Sequence, residues 1–172
     1  MNKSILITGI AGSGKSAVRD ELKKQGHSAF DIELIEGLFE HVHKETGKVA
    51  KEWDTRNLEN SKKHNWVCNI NKLKKILVKN KNDIAFYCGS ATNIDEIMPL
   101  FDKIFILKAD PEILRVRLTN RTSNDFARTK EVQDWVMSYK DWWEIHVSER
   151  GGEIVDANQN IEKVVNTILK RI

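Results

Sequence analysis

Gly9-Ile10-Ala11-Gly12-Ser13-Gly14-Lys15-Ser16 decides the reading of this chain, because it matches G-x-x-x-x-G-K-[ST] in full. Residues 4–8 before it are rich in Ile and Leu and read as a buried strand. Residues 13–25 after it read as a helix, with Ala17, Val18 and Leu22 on one face and Gly26 as the stop. In that setting the glycines let the backbone curl into a nest of N–H groups, and the helix adds its positive end. Gly9, Ala11, Gly12, Ser13, Gly14, Lys15, Ser16 and Ala17 are therefore the expected phosphate cradle. Lys15 would neutralise β- and γ-phosphate charge, and Ser16 would ligate Mg²⁺. A chance glycine turn with a surface lysine explains the eight residues but not their strand-and-helix context.

Outward from the loop, short apolar runs alternate with longer amphipathic segments, the pattern of a parallel sheet covered by helices. Residues 28–31, 83–88, 103–107 and 153–155 are the further strand candidates. Residues 32–80 read as mostly helical, with a break near Thr46-Gly47-Lys48. Asp110-Pro111-Glu112 opens a helix, with Pro at its first position and Glu favoured by the dipole. The polar stretch 119–130 interrupts the helical pattern, a Trp-rich helix follows at 131–148, and residues 161–172 close as a helix. The expectation is an α/β three-layer sandwich, with a five-stranded parallel sheet between helices, forming one domain over residues 1–172.

Composition narrows the class. Across 172 residues, 28 Lys and Arg against 25 Asp and Glu leave a net charge of +3, which argues against a nucleic-acid-coating protein. The apolar runs are far shorter than the roughly 20 residues of a membrane helix. The first residues lack the apolar core of a signal peptide. Cys68 and Cys88 are too few for a disulfide framework, so a reduced, cytoplasmic setting is expected. His64 and Cys68, four apart, offer too few ligands for zinc.

With the loop and its flanks in place, the chain resembles the small P-loop kinases of the adenylate, shikimate and gluconate kinase group along nearly its whole length. The resemblance implies ATP and Mg²⁺ as partners. Asp31 and Glu33 follow the second strand, where shikimate-kinase-like proteins carry an acidic pair facing the loop. By that resemblance Asp31 orients or deprotonates the acceptor and touches the metal's shell, while Glu33 contacts substrate or the metal's waters. A solvated helix start explains the same acids. Arg117 and Arg121, at i,i+4 spacing, resemble the R-x-x-x-R at a lid's entrance, one guanidinium for adenine and one for phosphate. The stretch 119–130 resembles a short lid, and Arg128 would swing from it toward the moving phosphoryl group. Asp156 and Ala157 fall in the loop that passes the adenine ring in this group, although a helix cap accounts for Asp156 equally well.

The chain departs from nucleoside monophosphate kinases after its third strand. Those proteins carry Asp-Gly-Phe-Pro-Arg, whereas this chain has Tyr87-Cys88-Gly89-Ser90-Ala91-Thr92-Asn93, without carboxylate or arginine. Gly89 and Ser90 in such a turn suit a neutral, hydroxylated acceptor. Residues 34–70 should build the acceptor pocket and offer His41, His43, Lys48, Lys51, Trp53, Arg56 and Trp66. Arg56 is either an acceptor-anion contact or a surface ion pair, and Trp53 and Trp66 either stack on a ring or fill core. Trp135, Tyr139, Trp142 and Trp143 are expected as a core or lid-anchoring stripe. The expected activity is transfer of the ATP γ-phosphoryl group to a hydroxyl of a nucleoside, small alcohol or sugar acid. A monophosphate acceptor and a nucleotide-dependent ATPase switch are the rivals. A kinase acting on RNA ends is disfavoured by the modest charge.

Overall fold

A computed structural model describes residues 2–51, 53–122 and 125–172. Its centre is β1 (Lys3–Thr8), whose Ile5, Leu6 and Ile7 are fully buried. A strand covered on both faces needs apolar side chains on both, which is why this run does not alternate. β1 pairs in parallel with β5 (Ile84–Cys88) on one side and β6 (Lys103–Lys108) on the other. β2 (Ser28–Asp31) joins β5 and β7 (Glu153–Asp156) joins β6, which gives the order β2-β5-β1-β6-β7, all parallel. The chain thus winds outward in both directions from β1. In such sheets a crevice opens at the strands' carboxyl ends where the winding reverses.

Helices α1 (Lys15–Lys24), α5 (Pro111–Asn120), α6 (Lys130–Glu149) and α7 (Ile161–Leu169) cover the sheet, and α1 packs against α7. Pro111 takes the first turn of α5, as expected. Asn160 caps α7 by accepting the Lys163 N–H at 2.9 Å. α6 buries Val132, Val136, Trp143 and Val147.

The segment 32–80 departs from the helical expectation. It holds a separate antiparallel pair, β3 (Phe39–His43) and β4 (His64–Cys68), in the register His41↔Trp66. Among the described residues its α-helices are two, α2 (Leu58–Lys63) and α3 (Ile70–Lys79), preceded by a single 3-10 turn at Ile32–Leu34. Asn57 and Asn69 cap them, accepting N–H bonds from Asn60 and Lys72. Phe39, Val42, Trp66 and Val67 are aromatic or β-branched and favour a pleated surface. Thr92 fastens the pair to the main sheet, because its hydroxyl accepts the Trp66 N–H at 3.0 Å and its own N–H reaches the Trp66 carbonyl at 2.7 Å.

α5 stops at Asn120, and Arg121 is extended (φ −68°, ψ 144°), so Arg117 and Arg121 do not share a helix face. The lid expected over residues 119–130 is in part the end of α5 and the start of α6. Ser123 and Asn124, at its middle, lie outside the described residues. Nearby, Ala127 is fully buried with φ 58°, a left-handed backbone that its packed methyl holds in place.

Candidate active site

The loop after β1 is shaped by close contacts. A Cβ on Gly9 (φ 156°) would lie 2.5 Å from the Ser13 Oγ and 2.9 Å from the Leu107 carbonyl. One on Gly12 (φ 83°) would lie 3.0 Å from the Leu118 side chain. Both positions need glycine for space and conformation together. Gly14, at φ 105°, hands the chain to α1 without any side-chain cap. The N–H groups of the first turn, Lys15 to Ala17, are therefore left for an anion. The Lys15 ammonium folds back onto the loop, donating to the Gly9 carbonyl at 2.8 Å and the Ile10 carbonyl at 3.3 Å.

The acidic pair faces this loop, with its two members engaged differently. Glu33 Oε1 accepts the Ser90 N–H at 2.8 Å and stands 4.0 Å from Lys15 Nζ. Gly89, the residue before, has no room for a side chain, because a Cβ there would collide with Ile32. The turn after β5 and the acids after β2 are thus built against each other. Asp31 is held more tightly: Oδ1 accepts the Glu33 N–H at 3.1 Å, and Oδ2 pairs with Arg19 at 3.0 Å. Arg19 is the residue that sequence reading missed. Its signal was present, since it lies four positions beyond Lys15 on α1 and so shares the loop lysine's side of the helix.

Two arginines stand beside the loop on the cavity lining. Arg117 donates to the Ala157 carbonyl at 2.8 Å and to the Ser13 carbonyl at 3.4 Å, spanning the first and last crossovers of the sheet. Arg121 donates to the Phe126 carbonyl at 3.4 Å. Burial lowers both guanidinium pKa values from the usual arginine range; at Arg121 the Glu33 charge opposes that shift. Ala157 spends its own N–H on the Lys108 carbonyl at 2.7 Å. Asp156 is exposed and turned to its own loop, accepting from the Asn158 N–H and from Gln159.

These groups open on one cavity of about 1020 Å³. Ala11 to Ala17, Asp31, Glu33, Ser90, Arg117, Arg121 and Ala157 line it at one end, and His41, Trp53 and Trp66 at the other. Trp135, Tyr139, Trp142 and Trp143 of α6 also line it, so the aromatic stripe forms cavity wall as well as core. Burial raises the Tyr139 phenol to about 12, which keeps it protonated as a donor. Arg56 and Arg128 are not brought to this wall. Arg56 pairs with Asp54 at 3.4 Å and Arg128 with Asp125 at 2.9 Å, both in solvent. Gly9 and Gly89 shape the site from behind its lining, whereas Asp156, exposed and bonded within its own loop, is not brought to it.

Residues 5–138 match the family model described as an AAA domain, and the chain belongs to that family. Its fold is that of small P-loop kinases. It superposes on deoxyadenosine kinase from M. mycoides with bound dATP at a TM-score of 0.59 and 15% identity, covering 98% of each chain. A gluconokinase from Sinorhizobium meliloti 1021 gives 0.55 at 16% identity, over 95% of this chain and 87% of that one. A sugar kinase from Janibacter sp. HTCC2649 gives 0.54 at 12% identity, over 99% and 94%. No curated protein matches the sequence. Among the described residues, no helix is long and apolar enough to cross a membrane.

Proposed function

We propose that the chain, acting as one domain over residues 1–172, is an ATP-dependent phosphotransferase that moves the γ-phosphoryl group to a hydroxyl of a small molecule. The observation that carries this reading is one cavity in which the phosphate loop and a carboxylate pair share an end, with about 1020 Å³ in all. Ligand pockets span roughly 300–1,000 Å³, and this cavity stands at the top of that range, with both the phosphate loop and the β3–β4 pair in its lining, which supports a nucleotide with a small second molecule beside it.

The roles follow from chemistry. The N–H groups of Lys15 to Ala17, with the loop backbone from Ala11 to Gly14 whose Ser13 N–H is held by the Ile10 carbonyl at 3.2 Å, cradle phosphate, and Lys15 leaves the Gly9 and Ile10 carbonyls to neutralise its charge. Ser16 and Asp31 offer hard oxygen donors of the kind Mg²⁺ prefers, and that ion would screen the phosphate charge. Asp31, pinned by Arg19, orients the acceptor hydroxyl, while Glu33 contacts the acceptor beside Lys15. Ser90 and the Gly89 turn supply the acceptor's other polar partners. Arg117 is suited to the adenine face and Arg121 to phosphate; Asp156 and Ala157 flank the base.

Arg128 and Arg56 would act only after leaving their exposed carboxylates. Such surface pairs are worth about 0–1 kcal/mol, so a closing lid would break them easily. The lid over 119–130 would exclude water from the transfer. A cytoplasmic setting agrees with the two free cysteines.

The test is ADP release from Mg-ATP across nucleosides, monophosphates, sugar acids and cyclic alcohols, repeated with Lys15→Ala and Asp31→Asn. One acceptor class stimulating release, with both variants silent, is the expected result. Tight ATP binding with no stimulation by any acceptor would refute the reading.

A further inference from the structure

From the phosphate loop the cavity lining extends to both sides of β1. Asp31, Glu33 and Ser90 follow β2 and β5 on one side, while Arg117, Ala157 and Gln159 follow β6 and β7 on the other. In phosphoryl transfer the attacking and leaving oxygens stand roughly in line across the moving group. With the acceptor hydroxyl beside Asp31, the nucleotide's base therefore belongs to the β6–β7 side.

The backbone of that side is already engaged at Ala157. Its N–H goes to the Lys108 carbonyl at 2.7 Å, and its carbonyl accepts from Arg117 at 2.8 Å. Arg117 also donates to the Ser13 carbonyl at 3.4 Å, so its guanidinium is held between the phosphate loop and the loop after β7. Guanidinium donors lie in the plane of the group, so these bonds leave its faces to a ring. Ile161, half-buried, and Val164, buried, add apolar lining.

A side chain is left to read the edge of that ring. Gln159 is exposed and lines the cavity, and its Nε2 donates to Asp156 Oδ2 at 3.1 Å. Asp156 is itself fixed, because Oδ1 accepts the Asn158 N–H at 2.9 Å. Asn158 Oδ1 in turn accepts the Asp110 N–H at 2.8 Å, at the start of α5. The Asn158 N–H, with Gln159 behind it, holds the Asp156 carboxyl below the usual carboxylate range. An ionised carboxylate only accepts, so it takes the NH₂ end of the amide and leaves the other end, Oε1, to a ligand. Gln159 Oε1 has no hydrogen-bond partner among the described residues. Such an oxygen pairs with an amino group and opposes another carbonyl. Adenine carries an exocyclic amino group where guanine and hypoxanthine carry an oxygen.

We propose that Gln159 selects the base of the nucleotide: its Oε1, oriented by the bond from Nε2 to Asp156, accepts from the exocyclic amino group of adenine and disfavours purines with an oxygen there. This rests on the phosphotransferase reading above for the side of the phosphates that the base takes. Asp156 is a positioning residue and acts on the base only through Gln159.

The experiment is calorimetry on the full chain with Mg²⁺ and ADP, GDP or IDP, which differ at the purine edge and carry no γ-phosphate. ADP binds about tenfold tighter than GDP or IDP, the scale of one hydrogen bond made against one opposed. Gln159→Met keeps the length without the amide; it weakens ADP roughly fivefold to tenfold and leaves GDP and IDP within about twofold. Asp156→Ala frees the amide to turn and narrows the ADP-to-IDP ratio by about threefold or more. A role confined to shaping the loop would weaken both nucleotides alike. Acceptor-stimulated ADP release from Mg-ATP is measured beside these titrations.

Equal affinity of the unaltered chain for ADP and IDP, or an unchanged ratio in Gln159→Met, overturns the proposal. An equal loss of both nucleotides in Asp156→Ala overturns the positioning role. Stimulated ADP release without any base preference sinks the base assignment while the phosphotransferase reading stands. Selective ADP binding with no acceptor ever stimulating release refutes the phosphotransferase reading and leaves the base assignment in place.

Discussion

Arg19 on the first helix lies 3.0 Å from Asp31 at the end of the second strand, and it fixes the carboxylate that follows that strand. Both side chains are largely shielded, with 18% and 15% of their surface exposed. The second oxygen of Asp31 accepts the Glu33 N–H, so one ion pair sets the position of both acids. Glu33 in turn reaches the Ser90 N–H across the sheet. The loop lysine, the acid pair and the turn after β5 are thereby linked through a single helix.

That linkage predicts that Arg19→Met lowers kcat with little change in ATP affinity. Displacement of positioning groups by about 1 Å costs up to roughly a hundredfold in rate, and a fall of ten- to a hundredfold is expected here. Steady-state kinetics beside calorimetric ATP binding checks it. A drop confined to ATP binding would mean that Arg19 serves the nucleotide directly.

Gly89→Ala should destabilise the fold and the site together. Its new Cβ would collide with Ile32, next to Glu33, and overpacking of this kind costs about 1–3 kcal/mol. Urea denaturation should show a lower midpoint with an unchanged slope.

Much of this arrangement was legible beforehand, for identifiable reasons. The loop declares itself by motif and flanks, and β2 falls at Ser28–Asp31 as read because Asp31 ends a short apolar run. The β3–β4 pair was not legible. Its strands are five residues each, rich in His, Asn and Glu, and they pair across a separation that no local period records. The i,i+4 spacing of Arg117 and Arg121 fits a helix face, yet α5 ends one residue before Arg121. The Asp54 and Asp125 partners of Arg56 and Arg128 were visible only as nearby charges.

Histidine 41 gives the fold an acid-sensitive point. Its folded pKa of about 4 is below the ordinary 6.5, so the unfolded chain takes up the proton first. The stability it contributes is complete above about pH 6.5 and is lost as pH falls toward 4. His41→Phe, which keeps a ring against Trp53, should flatten that part of the stability–pH curve measured by thermal denaturation.

The two free cysteines should be inert in the native state. Burial raises Cys68 to about 11 and Cys88 to about 12, so neither is a thiolate at pH 8. A chromogenic disulfide reagent should titrate almost nothing at first and both thiols once denaturant is added.

The most direct test of the central claim follows the phosphoryl group itself. Mg-ATP labelled at the γ-phosphate is incubated with the chain and the acceptor that best stimulates ADP release. Label is expected in the acceptor, one equivalent for each ADP, with Lys15→Ala abolishing both. Label found only in inorganic phosphate, at a rate indifferent to every acceptor, would contradict it and describe a nucleotide-hydrolysing switch instead.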